Sequence, residues 1–114
     1  MSQASPGPEG SWAAQVHRPL GTSSVVVHFT PQGQAFLLSG GSGRWWRDRP
    51  GRFRFSVAEA MVNQAGGFSG WVRIEQEAVL EPDQFTSQGT SSVHGEDGAL
   101  AYDAEVTIVA RRAA

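Results

Sequence analysis

Glu59 is preceded at alternate positions by Phe53, Phe55 and Val57 and followed by Met61. In an extended chain alternate residues point the same way. This spacing places a carboxylate among apolar side chains, where it can serve as a general acid or base. Tyr102, the chain's one tyrosine, stands in the same way among Leu100, Ala104, Val106 and Ile108. Gln76 shares its alternation with Val72, Ile74 and Ala78, while Ser87 and Ser91 alternate with Phe85, Gly89 and Val93. Arg47 stands two residues from Trp45. Apolar walls with a few convergent polar groups are what a small-molecule site requires. The candidate site has Glu59 and Tyr102 as catalytic residues. Its candidate ligand-binding residues are Trp45, Arg47, Phe55, Ile74, Gln76, Ser87 and Ser91. A plainer reading pairs Glu59 with Arg47 or Gln76 and makes it merely a satisfied buried group. Another bends the strand at Ala58 and turns Glu59 to solvent.

Other chemistries find little support. Cysteine is absent, which removes disulfides, thiolate nucleophiles and cysteine metal sites. All nine basic residues are arginine, so no Schiff-base lysine or lysine-dependent phosphate loop is available. His17, His28 and His94 have no metal-ligand spacing and no carboxylate cluster beside them, so no metal is expected. No cofactor is expected either. Gly40-Gly41-Ser42-Gly43 has the glycine content of a phosphate loop without its lysine or following helix. It reads as a flexible loop at the mouth of a barrel. Arg44, Arg47, Arg49, Arg52 and Arg54 form the one basic concentration, most simply a solvated hairpin. The net charge of −2 argues against a nucleic-acid partner. No apolar run reaches the roughly 18 residues that span a bilayer, and no secretion signal is visible at Met1. The expectation is a cytoplasmic protein with no membrane partner.

The elements that must position these residues are strands. Residues 1–9 are small, polar and proline-containing, and read as a disordered leader. Residues 10–114 read as one domain of eight strands, beginning near Ser11, Ser23, Gln34, Arg44, Arg52, Phe68, Gln84 and Ala99. Turn residues separate them, among them Pro19-Leu20-Gly21, Pro31-Gln32-Gly33, Arg49-Pro50-Gly51, Glu81-Pro82-Asp83 and Gly95-Glu96-Asp97-Gly98. Val57 to Gln64 contains good helix formers, but the alternation of Phe53, Phe55 and Val57 runs into it and continues the strand. Short connectors predict an all-β, eight-stranded antiparallel up-and-down barrel, which leaves no free edge and can enclose one small ligand. A two-sheet sandwich is the alternative.

Gly10-Ser11-Trp12 at the start of the first strand, with Arg111-Arg112 at the end of the last, resembles the calycin pattern of lipocalins. The resemblance implies that a terminal arginine stacks across the Trp12 indole and closes one end of the barrel. The chain is shorter than typical lipocalins, with no helix after the barrel and no disulfides. In build it is more similar to compact bacterial calycin-like barrels, including the allene oxide cyclase-like barrels. That similarity covers the architecture of most of the chain and no catalytic motif. It implies a cofactor-independent cyclase, isomerase or dehydratase of natural-product biosynthesis, acting on an apolar, polyketide-like substrate. The other classes are a binding or sequestering protein for an apolar small molecule and a structural barrel. Val26, Trp46, Trp71, Val79 and Val109 fall on outward faces, where a contiguous patch would indicate a homodimer.

Overall fold

Apolar and polar residues alternate through eight strands in the computed structural model, which describes residues 7–113. The strands are β1 (Gly10–Arg18), β2 (Gly21–Phe29), β3 (Gln34–Leu37), β4 (Ser42–Arg49), β5 (Arg52–Val62), β6 (Phe68–Leu80), β7 (Gln84–Gly95) and β8 (Leu100–Arg112). Each pairs antiparallel with the next, and β8 returns to β1 to close the barrel. The helix-forming run after Val57 stays in β5 as far as Val62. There the gain from pairing with β6 along Val57↔Ile74 and Glu59↔Val72 outweighs local propensity. β3 is four residues long and stops at Leu37, because the chain turns through Leu38 to Gly41.

Cross-strand pairs define rows of inward side chains. One row runs Phe53–Ala78–Ser87–Ile108–Val16, and the next runs Trp45–Phe55–Gln76–Gly89–Val106. Gly43 and Gly89 occupy inward positions in β4 and β7, where the neighbouring strand passes close by. A Cβ at Gly43 would collide with the Ser56 carbonyl, and one at Gly89 with the Glu75 carbonyl. Glycine at these points lets long strands coil tightly enough to close.

The end of the barrel holding the start of β1 is sealed. Trp12, Phe29, Phe53, Phe55 and Phe85 are buried there, with edge-to-face contacts at centroid separations of 5.0–5.4 Å. The Arg112 guanidinium lies 4.2 Å above the Trp12 ring. It also donates to the carbonyls of Glu9 (2.8 Å), Gly7 (3.4 Å) and Pro82 (3.4 Å). Trp12 Nε1 donates to the Pro8 carbonyl at 2.8 Å. The expected leader therefore needs a correction at its end. Residues 1–6 lie outside the described residues, whereas Pro8 is fully buried and Gly7 to Glu9 belong to the seal. Their carbonyls are the acceptors that Arg112 and Trp12 need.

The opposite end is open and uneven. β8 pairs with β1 only from Thr107 onward, and β5 pairs with β4 only as far as Ala58. The far portions of β5 to β8 thus project as a four-stranded arm above the mouth.

Candidate functional site

A chamber of about 260 Å³ lies inside the open half of the barrel. Val16, Val27, Leu37, Phe55, Val57, Val72, Ile74 and Ile108 give it apolar walls, and Arg18, Ser23, Ser24, Ser39 and Glu59 supply its polar groups. Phe55 and Val27 border the aromatic seal, so the chamber is closed below. Arg18 ends β1 and Ser39 lies in the β3–β4 turn, so the polar groups gather at the mouth.

Glu59 points into this chamber from β5, half-buried. Its Oε1 lies against the β3–β4 turn, where a Cβ at Gly40 would come within 3.2 Å of it. Gly40 has φ of +127°, so glycine is needed both for the turn and for the approach of the carboxylate. Among the described residues none donates a hydrogen bond to Glu59 or forms an ion pair with it. Arg18 is held at the rim by a 2.9 Å hydrogen bond from its Nη1 to Ser23 Oγ.

The other candidate residues separate from Glu59 in instructive ways. Phe55 and Ile74 line the chamber with it. Gln76 and Ser87 point inward as expected but lie below the chamber, buried at 3% and 2% exposure. Ser87 Oγ donates to Gln76 Oε1 at 2.7 Å, and Gln76 Nε2 donates to the Val106 carbonyl at 3.3 Å. Their polarity is satisfied within the wall. Ser91 is buried between Ile74 and Ala104 in its row. Trp45 belongs to the packed interior near the seal. It makes edge-to-face contacts with Phe29 and Phe53, and its Nε1 donates to the Thr30 carbonyl at 2.8 Å. Arg47 lies at the sealed rim beside Gly7, at the far end of the barrel from Glu59. The two therefore do not pair.

Tyr102 shares an inward row with Glu59, running Glu59–Val72–Val93–Tyr102. Three inter-strand steps separate them, roughly 14–15 Å along the sheet. Tyr102 belongs to the arm, above the barrel body, and is 63% exposed. The face expected for it is the face observed, but it stands on the arm and is not part of the chamber wall.

Arg18, Ser23 and Ser39 were not singled out by the sequence. A signal existed for Arg18, which continues the Trp12, Ala14, Val16 alternation. Pro19 made it look like a strand end. Its position at that end is what gives it the mouth. The outward histidines are occupied locally: His17 Nδ1 is 3.1 Å from Thr22 Oγ1 and His28 Nδ1 is 2.7 Å from Ser11 Oγ. Among the described residues no group of His, Asp and Glu could hold a metal ion.

A larger depression, about 670 Å³, lies on the outer flank of β4 to β8 and is open to solvent. Trp46, Glu75, Glu77 and Glu105 border it, and Arg54 spans Asp48 (3.5 Å) and Glu77 (3.1 Å). Exposed ion pairs of this kind contribute little to stability. No protein-family model matches the chain, and no curated protein matches its sequence.

Proposed function

We propose that the protein binds an elongated, largely apolar small molecule in the chamber, with the molecule's polar end at the mouth between Glu59 and Arg18. One observation carries this reading: a carboxylate that has no hydrogen-bond or ion-pair partner among the described residues faces an apolar chamber that is closed below and open above. Such a group accepts a hydrogen bond from a ligand hydroxyl, enol or amine. The Arg112–Trp12 stack and the eight-strand closure support a calycin-like assignment.

A second reading is cofactor-independent acid–base chemistry on the bound molecule, as in a cyclase or isomerase. The lack of a partner for Glu59 among the described residues favours it, because a single carboxylate can move a proton between two atoms of one ligand. Tyr102 enters this chemistry only through the arm.

A chain-length series of n-alkanols, displacing an apolar fluorescent probe, tests the binding reading. Affinity should rise with each methylene, by at most about 0.8 kcal/mol, until the molecule outgrows the chamber. Leu37→Trp, which fills the chamber, should abolish displacement while the barrel still melts cooperatively. Equal affinity of the parent and Leu37→Trp proteins for every alkanol would remove the chamber as the site.

A further inference from the structure

Exposed apolar side chains are distributed unequally between the two ends. Every turn of the open end presents at least one: Leu20 between β1 and β2, Leu38 between β3 and β4, Val62 and Phe68 beside the β5–β6 loop, and Leu100 after the β7–β8 turn. Tyr102 follows Leu100 on the arm. The turns of the sealed end present the prolines Pro31, Pro50 and Pro82 and no large hydrophobic side chain. Among the described residues the arm also carries unpaired backbone, because residues 100–106 of β8 have no strand on their β1 side and residues 59–62 of β5 have none on their β4 side. Bare edges beside apolar residues are a surface that natural barrels cover.

We propose that a second copy of this chain covers it. Two barrels meet mouth to mouth about a two-fold axis, each arm lying over the lower β1–β4 side of the other's mouth. Three features select this occupant. The first is shape: an arm on one side and a step on the other make a self-complementary outline, which an isologous contact requires. The second is area. Leu20, Leu38, Val62, Phe68, Leu100 and Tyr102 are 102%, 74%, 68%, 41%, 56% and 63% exposed, together equivalent to about four whole side chains. At roughly 150 Å² each, the low end of the range for a large side chain, this is at most about 600 Å² of apolar area, the larger part of one partner's share of a standard interface. The third is charge. The β7–β8 turn at the arm's tip carries Glu96 and Asp97, with His94 and Arg73 on the flank below it, while the β1 rim carries Arg18, so the acidic tip of one copy meets the arginine on the other's rim.

This arrangement deepens the chamber reading and rests on it in one respect: it sets Tyr102 of each copy over the other's chamber. Glu59 and Tyr102, separated within one chain, then face one ligand from two chains. The contact is distinct from a dimer through the flank tryptophan Trp46.

Sedimentation equilibrium without ligand tests the contact independently of the chamber. The parent chain should be dimeric at micromolar concentration. Leu100→Asp and Tyr102→Asp, both at exposed positions that leave the barrel folded by far-ultraviolet circular dichroism, should raise the dissociation constant at least about 100-fold by burying an unpaired charge. Trp46→Arg should leave it unchanged. Arg18→Glu should weaken the dimer, and Glu96→Arg in the same chain should restore it. A parent chain that is monomeric at high micromolar concentration overturns the proposal. So does a dimer broken by Trp46→Arg and not by Leu100→Asp. A monomer that pellets with phosphatidylcholine vesicles overturns it in favour of a lipid surface. A dimer with no response in the alkanol series would keep this contact and remove the chamber reading.

Discussion

Replacing Trp12 by alanine empties the seal, and the size of the loss can be worked from its contacts. The indole is fully buried, packs edge-to-face on Phe85 at 5.0 Å, and donates to the Pro8 carbonyl at 2.8 Å. Truncating a buried tryptophan costs about 3–5 kcal/mol in lost transfer energy and cavity. The Pro8 carbonyl left without its donor adds about 1 kcal/mol, and the lost stack of Arg112 adds about 0.5–1 kcal/mol. These terms share partners and do not add fully, so the expected loss is about 4–6 kcal/mol. With a urea slope near 2 kcal/mol/M, the midpoint should fall by about 2–3 M. That is a large part of an ordinary domain's stability, so Trp12→Phe provides a milder comparison. It keeps most of the apolar fill, loses the bond to Pro8, and should cost about 1–2 kcal/mol. Arg112→Met should cost a similar amount, and a Trp12→Leu/Arg112→Met cycle, which removes the ring under the guanidinium, should show coupling of about 0.5–1 kcal/mol. Urea melts followed by far-ultraviolet circular dichroism measure all three. A Trp12→Ala loss below about 1 kcal/mol would show that the terminal stack does not seal the barrel.

Ser87→Ala leaves the buried Gln76 Oε1 without its donor and should destabilise by about 1–3 kcal/mol, whereas Ser87→Ala with Gln76→Leu should recover most of that in the same melts. Gly89→Ala drives a methyl into the Glu75 carbonyl and crowds Gln76 Nε2, so a loss of about 1–3 kcal/mol is expected; a neutral result would mean that the close approach at Gly89 is not needed for closure. Glu59→Gln should change stability by less than about 0.5 kcal/mol, as expected where no partner is lost, and should reduce any turnover by about 10²–10⁴-fold; a stability loss above 1 kcal/mol would reveal a structural role.

The strands and their order were legible because turn residues interrupt an alternation that hardly breaks. Phe53, Phe55, Val57 and Glu59 share a face only if the strand runs unbent past Ala58, which β5 does, so spacing together with the continued pairing fixes the inward direction of Glu59. Closure was legible through two residues, Trp12 and a terminal arginine, whose chemistries suit each other. Alternation gives the face of a side chain but not its height. Gln76, Ser87 and Trp45 share the inward face with Glu59, yet the barrel's register carries them below the chamber. Tyr102 is carried above it and Arg47 to the opposite rim. Height depends on how each hairpin is staggered against the next, a sum over eight pairings that no single segment encodes. Ser39 could not be foreseen for a related reason: it lies in a turn, and its place at the mouth depends on where β3 ends.

The size of the inward residues changes along the strands, and this change explains why the chamber lies at one end. From the seal toward the mouth, β7 turns inward Phe85, Ser87, Gly89, Ser91 and Val93, while β1 turns inward Trp12, Ala14, Val16 and Arg18. Large aromatics fill the first rows to the density of a protein interior. The small residues above them cannot fill a barrel of the same girth. The space that remains is the chamber, and its walls carry less of the packing energy than the seal does. Substitutions at Leu37 or Glu59 can therefore alter what the chamber accepts while the aromatic rows keep the barrel folded. Substitutions at Trp12, Phe29, Phe53 or Phe85 reach the chamber only by loosening the floor on which it rests.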